Sequence, residues 1–357
     1  MRTSTSSERG FSLIELMIAS LITMVIMGVA FRTFADALSL NDAVTQLADS
    51  SENLRAGTNL LVRDLLEAGR DLPVGGIPIP SGAGSSAIHR PGPDPSYTFD
   101  NTSQVTLSTL TTGNAKGPTI DGQPTDMITI VTDDPFLGSL KIYPSTAVNP
   151  PPCPACPKLS VDGTSFNVGP SAAWIQGDPN NGIAAIAAGD LIWFQAPNGN
   201  TIQTVTKVDP ANVYFESGDP FNFNQIGAAA GNITQLLGNT IDIRRVLMYT
   251  YYVHEDEPGV PRLMRELNFF PAQALAGVIE DLELLYDLVD GTYNPTSIVD
   301  LPYTANSVTY MPSQVRKVTM HVGVRSEVKN PKTKDYLRNH LSTVISIRNL
   351  AYVDRYK

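Results

Sequence analysis

The chain has 357 residues, with 35 acidic against 25 basic side chains and a formal net charge of −10. That balance disfavours a main role in direct nucleic-acid binding, because neutralising phosphates requires a basic face. The 27 glycines, 27 prolines and 17% charged residues describe a loop-rich body, and about 290 residues beyond position 69 suffice for one large or two small domains with real cores.

Residues 1–10 form a short leader with Arg2 and Arg9 against Glu8, and residues 11–31 are an apolar run that Arg32 ends. At 1.5 Å per residue this run spans about 30 Å, one hydrocarbon core. Positive charge on the leader keeps it cytoplasmic, so everything after Arg32 is expected across the membrane. No small-residue cleavage site follows the apolar run, which places any cut before it. One carboxylate, Glu15, lies near the start of the run, and an unpaired carboxylate in hydrocarbon costs several kcal/mol, about 3 on insertion scales. A simple anchor whose Glu15 sits at the interface is the plainer reading.

Arg9-Gly10-Phe11-Ser12-Leu13-Ile14-Glu15-Leu16-Met17 resembles the class III signal of type IV prepilins and type II secretion pseudopilins. The resemblance implies that a prepilin peptidase cuts between Gly10 and Phe11 and methylates the new Phe11 amine. It also implies that Glu15 pairs with the Phe11 amine of a neighbouring subunit. Mutual neutralisation gives that pairing a physical reason in a low-dielectric core, where each ion alone is heavily penalised.

Beyond the membrane, Leu40, Val44, Leu47, Ser51, Leu54, Thr58, Leu61 and Leu65 recur at four- and three-residue steps, one stripe of a helix. Arg63 and Glu67 are spaced for a four-apart pair, and Gly69 with Pro73 stops the helix. Counted from Phe11, the helix is about 85 Å long. Residues 32–69, its exoplasmic amphipathic part, are expected to lie against a sheet. Gly28 is its weak point inside the membrane. Arg63-Asp64-Leu65 before Ala68-Gly69 is similar to the helix end of PilW-type minor pilins and J-type pseudopilins, as Val315-Arg316-Lys317-Val318 and residues 343–349 are to their closing strands.

Residues 70–99 read as a Pro/Gly-rich loop, and 144–157 as a second long connection. Strands are expected at 104–110, 126–132, 190–194, 201–208 and 212–215, with Asn198-Gly199 supplying a hairpin turn. A second hairpin, 241–254 with 262–269, crosses Glu257-Pro258-Gly259. Alternation at 282–288 and 317–325 marks half-buried antiparallel strands. The expected class is α+β: a long helix, membrane-spanning in its first half, packed on an antiparallel sheet body. Residues 241–357 form its C-terminal sheet region, and residues 100–235 an inserted β-rich region.

Cys153 and Cys156 are the only cysteines. In an oxidising compartment they can close a small ring in a proline-rich loop, with redox or metal chemistry as alternatives. Residues 121–126, Asp133-Asp134 and residues 178–182 place oxygen ligands beside turn formers, which admits calcium; turn chemistry alone explains them too. No hydrolase elbow, metalloprotease helix or phosphate loop occurs, and His89, His254, His321 and His340 show no ligand spacing, so no enzyme and no other cofactor is expected. Glu255-Asp256-Glu257 reads as a solvated turn, and Glu280, Asp281 and Glu283 as a strand face toward water or a neighbour. Arg316, Lys317, Arg325, Lys329, Lys332, Lys334 and Arg338 make a basic strip.

Together these readings imply a minor pilin of a type IV pilus, in a priming or tip complex. The expected partners are prepilin peptidase, other minor pilins, the major pilin and an inner-membrane assembly platform. Its place is the inner membrane, single-pass with a periplasmic body, and then the pilus surface. A J-type pseudopilin and a tip adhesin whose residues 100–235 bind a surface are the alternatives.

Overall fold

The computed structural model describes residues 10–80, 86–94, 97–99, 106–144, 156–168, 172–178, 180, 184–225, 233–330 and 333–350. One long helix, α1 (Leu13–Glu67, 55 residues), leads into a mostly antiparallel β body, an α+β class. The helix starts two residues later than the apolar run because Ser12 is its extended N-cap (φ −76°, ψ 143°). It ends where Gly69 adopts φ +73°, the left-handed conformation that glycine takes without Cβ strain.

The strands of the body are β1 (Ile128–Asp133), β2 (Leu140–Ile142), β3 (Leu191–Ala196), β4 (Gly199–Thr204), β5 (Ile241–Glu257), β6 (Val260–Leu267), β7 (Gln273–Ala276), β8 (Ile279–Leu288), β9 (Val315–Arg325) and β10 (Arg338–Ser346). The 17-residue β5 is the spine of an eight-stranded sheet. Along one edge it pairs with β2 and then β1, and along the other with β3 and then β6. Beyond these lie β4, β7 and the short strand Leu110–Thr111. Residues 128–142, 191–204 and 241–276 therefore share one sheet, while β8, β9 and β10 form a separate three-stranded sheet. A four-stranded sheet of short segments, including Ser165–Asn167 and Asn212–Tyr214, stands over the β3–β4 end. Its core is aromatic: Phe166 stacks on Phe215 at 5.7 Å, and Phe194 meets Phe215 edge-on at 5.3 Å.

Alternation sets the three-stranded sheet. Leu282, Leu284, Tyr286 and Leu288 of β8 and Val318, Met320, Val322 and Val324 of β9 are buried, and they form one core with Leu54, Leu61 and Leu65 of α1. The body is met by α1 from about Gln46 onward, where the helix shares a cleft with Arg262, Arg325 and Val328. Leu40, Val44 and Leu47 of the expected stripe are exposed, while Ser51 further along accepts a hydrogen bond from Asn339 of β10 at 3.1 Å.

Three expectations change. The stretch 104–110 is split: Thr106–Leu107 pairs with Ile77–Pro78 in a two-stranded sheet of its own, Leu110–Thr111 pairs with β1, and residues 104–105 lie outside the described residues. The stretch 201–208 is broken: β4 ends at Thr204, and Lys207–Val208 belongs to the four-stranded sheet. The step between them is held by Val205, which donates to Asp190 O at 2.8 Å and accepts from Gly189 N at 2.7 Å. The β3–β4 turn is Pro197-Asn198 instead of Asn198-Gly199, since six unbroken pairs from Leu191↔Thr204 to Ala196↔Gly199 fix the register. The β5–β6 hairpin closes through Pro258-Gly259 (Gly259 φ +76°), with Glu257 opposite Val260.

Candidate functional site

Gly10 and Phe11 precede the first helical turn in an open, exposed segment, and Phe11 is 88% exposed. Among the described residues, no atom lies within 4 Å of where a Gly10 side chain would begin. Ser12 and Glu15 then form a capping box: the Ile14 N–H donates to Ser12 Oγ at 3.2 Å, and the Ser12 N–H donates to Glu15 Oε2 at 3.0 Å. The reading of Glu15 as a contact between subunits did not include this local role, although Ser-x-x-Glu is its sequence signal. Within the single chain, Glu15 thus orders the helix start next to the Gly10–Phe11 bond, and a negative charge there also complements the helix dipole.

Around this site the helix is apolar on every side. Leu13, Ile14, Leu16, Met17, Ile18, Leu21, Ile22 and Met24 are all more than half exposed, and none of the most apolar stretch is buried inside the protein. A surface of this kind calls for lipid or for neighbouring helices.

At the other end of α1, Asp64 is buried on the helix face and reaches the sheet. It accepts from the Tyr251 hydroxyl at 2.6 Å and from Arg265 Nε at 2.9 Å and Nη2 at 2.8 Å. The Arg265 guanidinium also lies 3.8 Å from the Tyr249 ring centre. Burial, reinforced by the Asp64 charge, pushes the Tyr251 hydroxyl far above its ordinary value, so it stays a donor. Arg63 and Glu67 do not pair with each other. Arg63 approaches Asp64 at 3.5 Å and Glu67 pairs with Arg70 at 3.3 Å, since the helix ends at 67 and frees Arg70 to turn back. Asn349 Nδ2 donates to the Leu66 and Ala68 carbonyls, both at 3.3 Å, and so caps the helix end from the far C-terminal region.

The carboxylates considered for calcium have protein partners. Asp126 accepts from the Ala115 and Leu284 N–H groups at 2.8 and 2.9 Å, Asp133 faces Arg244 at 3.4 Å, and Asp134 grips Arg245 Nε at 2.6 Å. Among the described residues, no three His, Cys, Asp or Glu side chains gather as a metal site. Of the cysteine pair, Cys153 lies outside the described residues, so the Cys153–Cys156 ring stays a proposal. The basic strip is not a single face. Arg325 is buried against the Tyr336 ring, 3.9 Å from its centre, Arg338 binds Glu280 at 2.5 Å, and Lys332 lies outside the described residues. Glu280 therefore faces cations of its own chain, while burial pushes the Asp281 and Glu283 carboxyls above their ordinary range.

Compared with known proteins, residues 5–31 match the family model described as the prokaryotic N-terminal methylation motif. No curated protein and no solved structure gives a significant match. The motif carries prepilin peptidase processing and pilus or pseudopilus assembly with it, and its matched residues are those that form the exposed bond, the capping box and the apolar helix. The methylation motif at the head of an apolar helix supports a protein of the type IV pilin-like or pseudopilin class.

Proposed function

We propose that this chain is a minor pilin that joins other minor pilins in a priming or tip complex of a type IV pilus. The observation that carries the reading is the methylation motif with exposed Gly10 and Phe11 directly before a helix whose stretch through Phe31 carries no charge but Glu15. Cleavage frees a cationic amine at Phe11, and Glu15 supplies the complementary charge when helices pack side by side. In a low-dielectric bundle the two ions stabilise each other, and loss of either leaves the other unpaired at a cost of about 3–5 kcal/mol. The large body supports a specialised position over repeated use along a thin filament, and favours a pilus over a short pseudopilus. In this reading the protein is structural, is held in the inner membrane with its body in the periplasm, and meets the major pilin and the assembly platform there.

Glu15→Ala, expressed normally and correctly processed, is expected to lose its complex with partner pilins by at least about tenfold in co-purification from membranes. An undiminished complex overturns the pairing role. Gly10→Val is expected to leave the leader attached, seen by mass spectrometry as a chain heavier by residues 1–10. Normal processing of that variant overturns the peptidase assignment.

A further inference from the structure

Strand β10 closes one side of the three-stranded sheet, paired to β9 through nine consecutive residues without a bulge. The Ile347 N–H donates to the Arg316 carbonyl at 3.0 Å, so odd-numbered residues face β9 and the N–H and C=O groups of Ser342, Val344 and Ser346 point outward. Among the described residues, none of these outward groups has a partner. The His340 N–H is taken by the Asn339 side-chain oxygen at 2.9 Å, which leaves the open stretch after it.

The opposite edge of the sheet is covered by the chain itself. Leu284 donates to the Asp126 carboxylate at 2.9 Å, Tyr286 exchanges hydrogen bonds with Ile298, and Leu288 donates to Pro295 O at 2.8 Å. Soluble proteins blunt free edges with charge, proline or bulges, and Leu341-Ser342-Thr343-Val344-Ile345-Ser346 has none of these. Val344 is 59% exposed on it.

We infer that the outward edge of β10 pairs with an extended, uncharged segment of a different chain anchored in the same membrane, the segment running back toward the membrane. Unpaired donors and acceptors in strand register select extended backbone. Pairing is taken as antiparallel, as in every strand pair of the body. The direction then follows from α1, which runs beside β10 in the same sense, from Ser51 at Asn339 to Leu66 and Ala68 at Asn349. Antiparallel pairing of β10 with its own copy would point the two α1 helices in opposite directions, which excludes two copies anchored in one bilayer. A strand descending toward the membrane from another co-anchored subunit meets no such conflict. The argument rests on the reading of α1 as a membrane anchor.

The test places a photo-crosslinking residue at 342, 344 or 346 of the full-length chain in its own membranes and maps the linked peptides by mass spectrometry. The expected result is one segment of one other chain, with position 346 linked to its earlier residues and position 342 to its later ones. Val344→Pro removes an outward N–H and leaves the β9 ladder intact. It is expected to lower the crosslink from position 346 about tenfold, with leader cleavage and protease resistance unchanged. If that variant loses protease resistance, Ser342→Lys takes its place with the same expected loss. Scattered crosslinks, crosslinks to a second copy, or full crosslinking by a folded edge variant overturns the inference. Ordered edge crosslinks that survive Glu15→Ala would count against the charge pairing alone, and their absence in a chain whose Glu15 contact holds would count against the edge alone.

Discussion

Asp64 accepts three hydrogen bonds from groups 187 and 201 residues away, so a single carboxylate fastens the end of α1 to β5 and β6. Asp64→Ala leaves Arg265 half-buried beside Tyr249 without its counter-ion, and is expected to lower stability by about 3 kcal/mol, read as a shift in the urea midpoint of the detergent-held chain. Glu266 works with the opposite sign. It is buried, the Tyr252 hydroxyl donates to it at 3.0 Å, and desolvation pushes its carboxyl up to about 7 from an ordinary 4.5. The native state therefore holds this proton more tightly than the unfolded chain does. Stability from the group is fully present below 4.5 and falls as pH rises through about 7. Asp133, pushed up to about 6 by burial against the pull of Arg244, adds a loss of the same sign at slightly lower pH. Glu266→Gln keeps the acceptor for Tyr252 and removes the buried charge. It is expected to gain about 2 kcal/mol at pH 8 and almost nothing at pH 4, as measured by denaturation at the two pH values. At this scale the methylation motif over residues 5–31 was legible in the sequence because its residues are neighbours in the chain. The partners of Asp64 and Glu266 were not, since only the fold brings them near.

Helix α1 shows how far periodicity carries at the level of elements. The stripe that contains Leu54, Thr58, Leu61 and Leu65 was readable from the sequence, and all four are buried. Its extension through Leu40, Val44 and Leu47 followed the same arithmetic, yet these residues stay exposed. Gly57 sits where the helix crosses closest to the sheet: a Cβ there would lie 2.5 Å from Ala276 Cβ. Gly57→Val is expected to cost about 1–3 kcal/mol by overpacking, whatever it gains in backbone entropy, and the thermal midpoint of the full chain checks it. The β3–β4 turn teaches a similar lesson. Asn-Gly was the strongest local turn signal, but the pairing of six residues on each side moved the turn one residue earlier.

For the whole molecule, β5 is the element on which the body depends. Removing residues 100–235 would strip β1, β2 and β3 from it and expose its first half on both edges. Such a deletion is expected to abolish the folded body, seen as loss of protease resistance, so it cannot report on adhesion alone. Removing residues 1–37 is expected to do the reverse. Among the described residues, no core side chain precedes Leu54, and residues 1–37 end before the Gln46 contact with the body, so the shortened chain should stay soluble without detergent, with a thermal midpoint within about 2 °C of the full chain. Circular dichroism of both chains checks this.

By itself the sequence determined the methylation motif, the apolar helix and the α+β class, because such motifs, membrane-length runs and amphipathic periods are written over neighbouring residues. The tertiary structure alone decided that β5 joins strands from both sides of residue 241 in one sheet, that Asp64 is a buried anchor and that one edge of β10 has no partner among the described residues. Each of those depends on which distant backbones and charges meet, and such meetings are fixed by packing of the whole chain and not by local spacing.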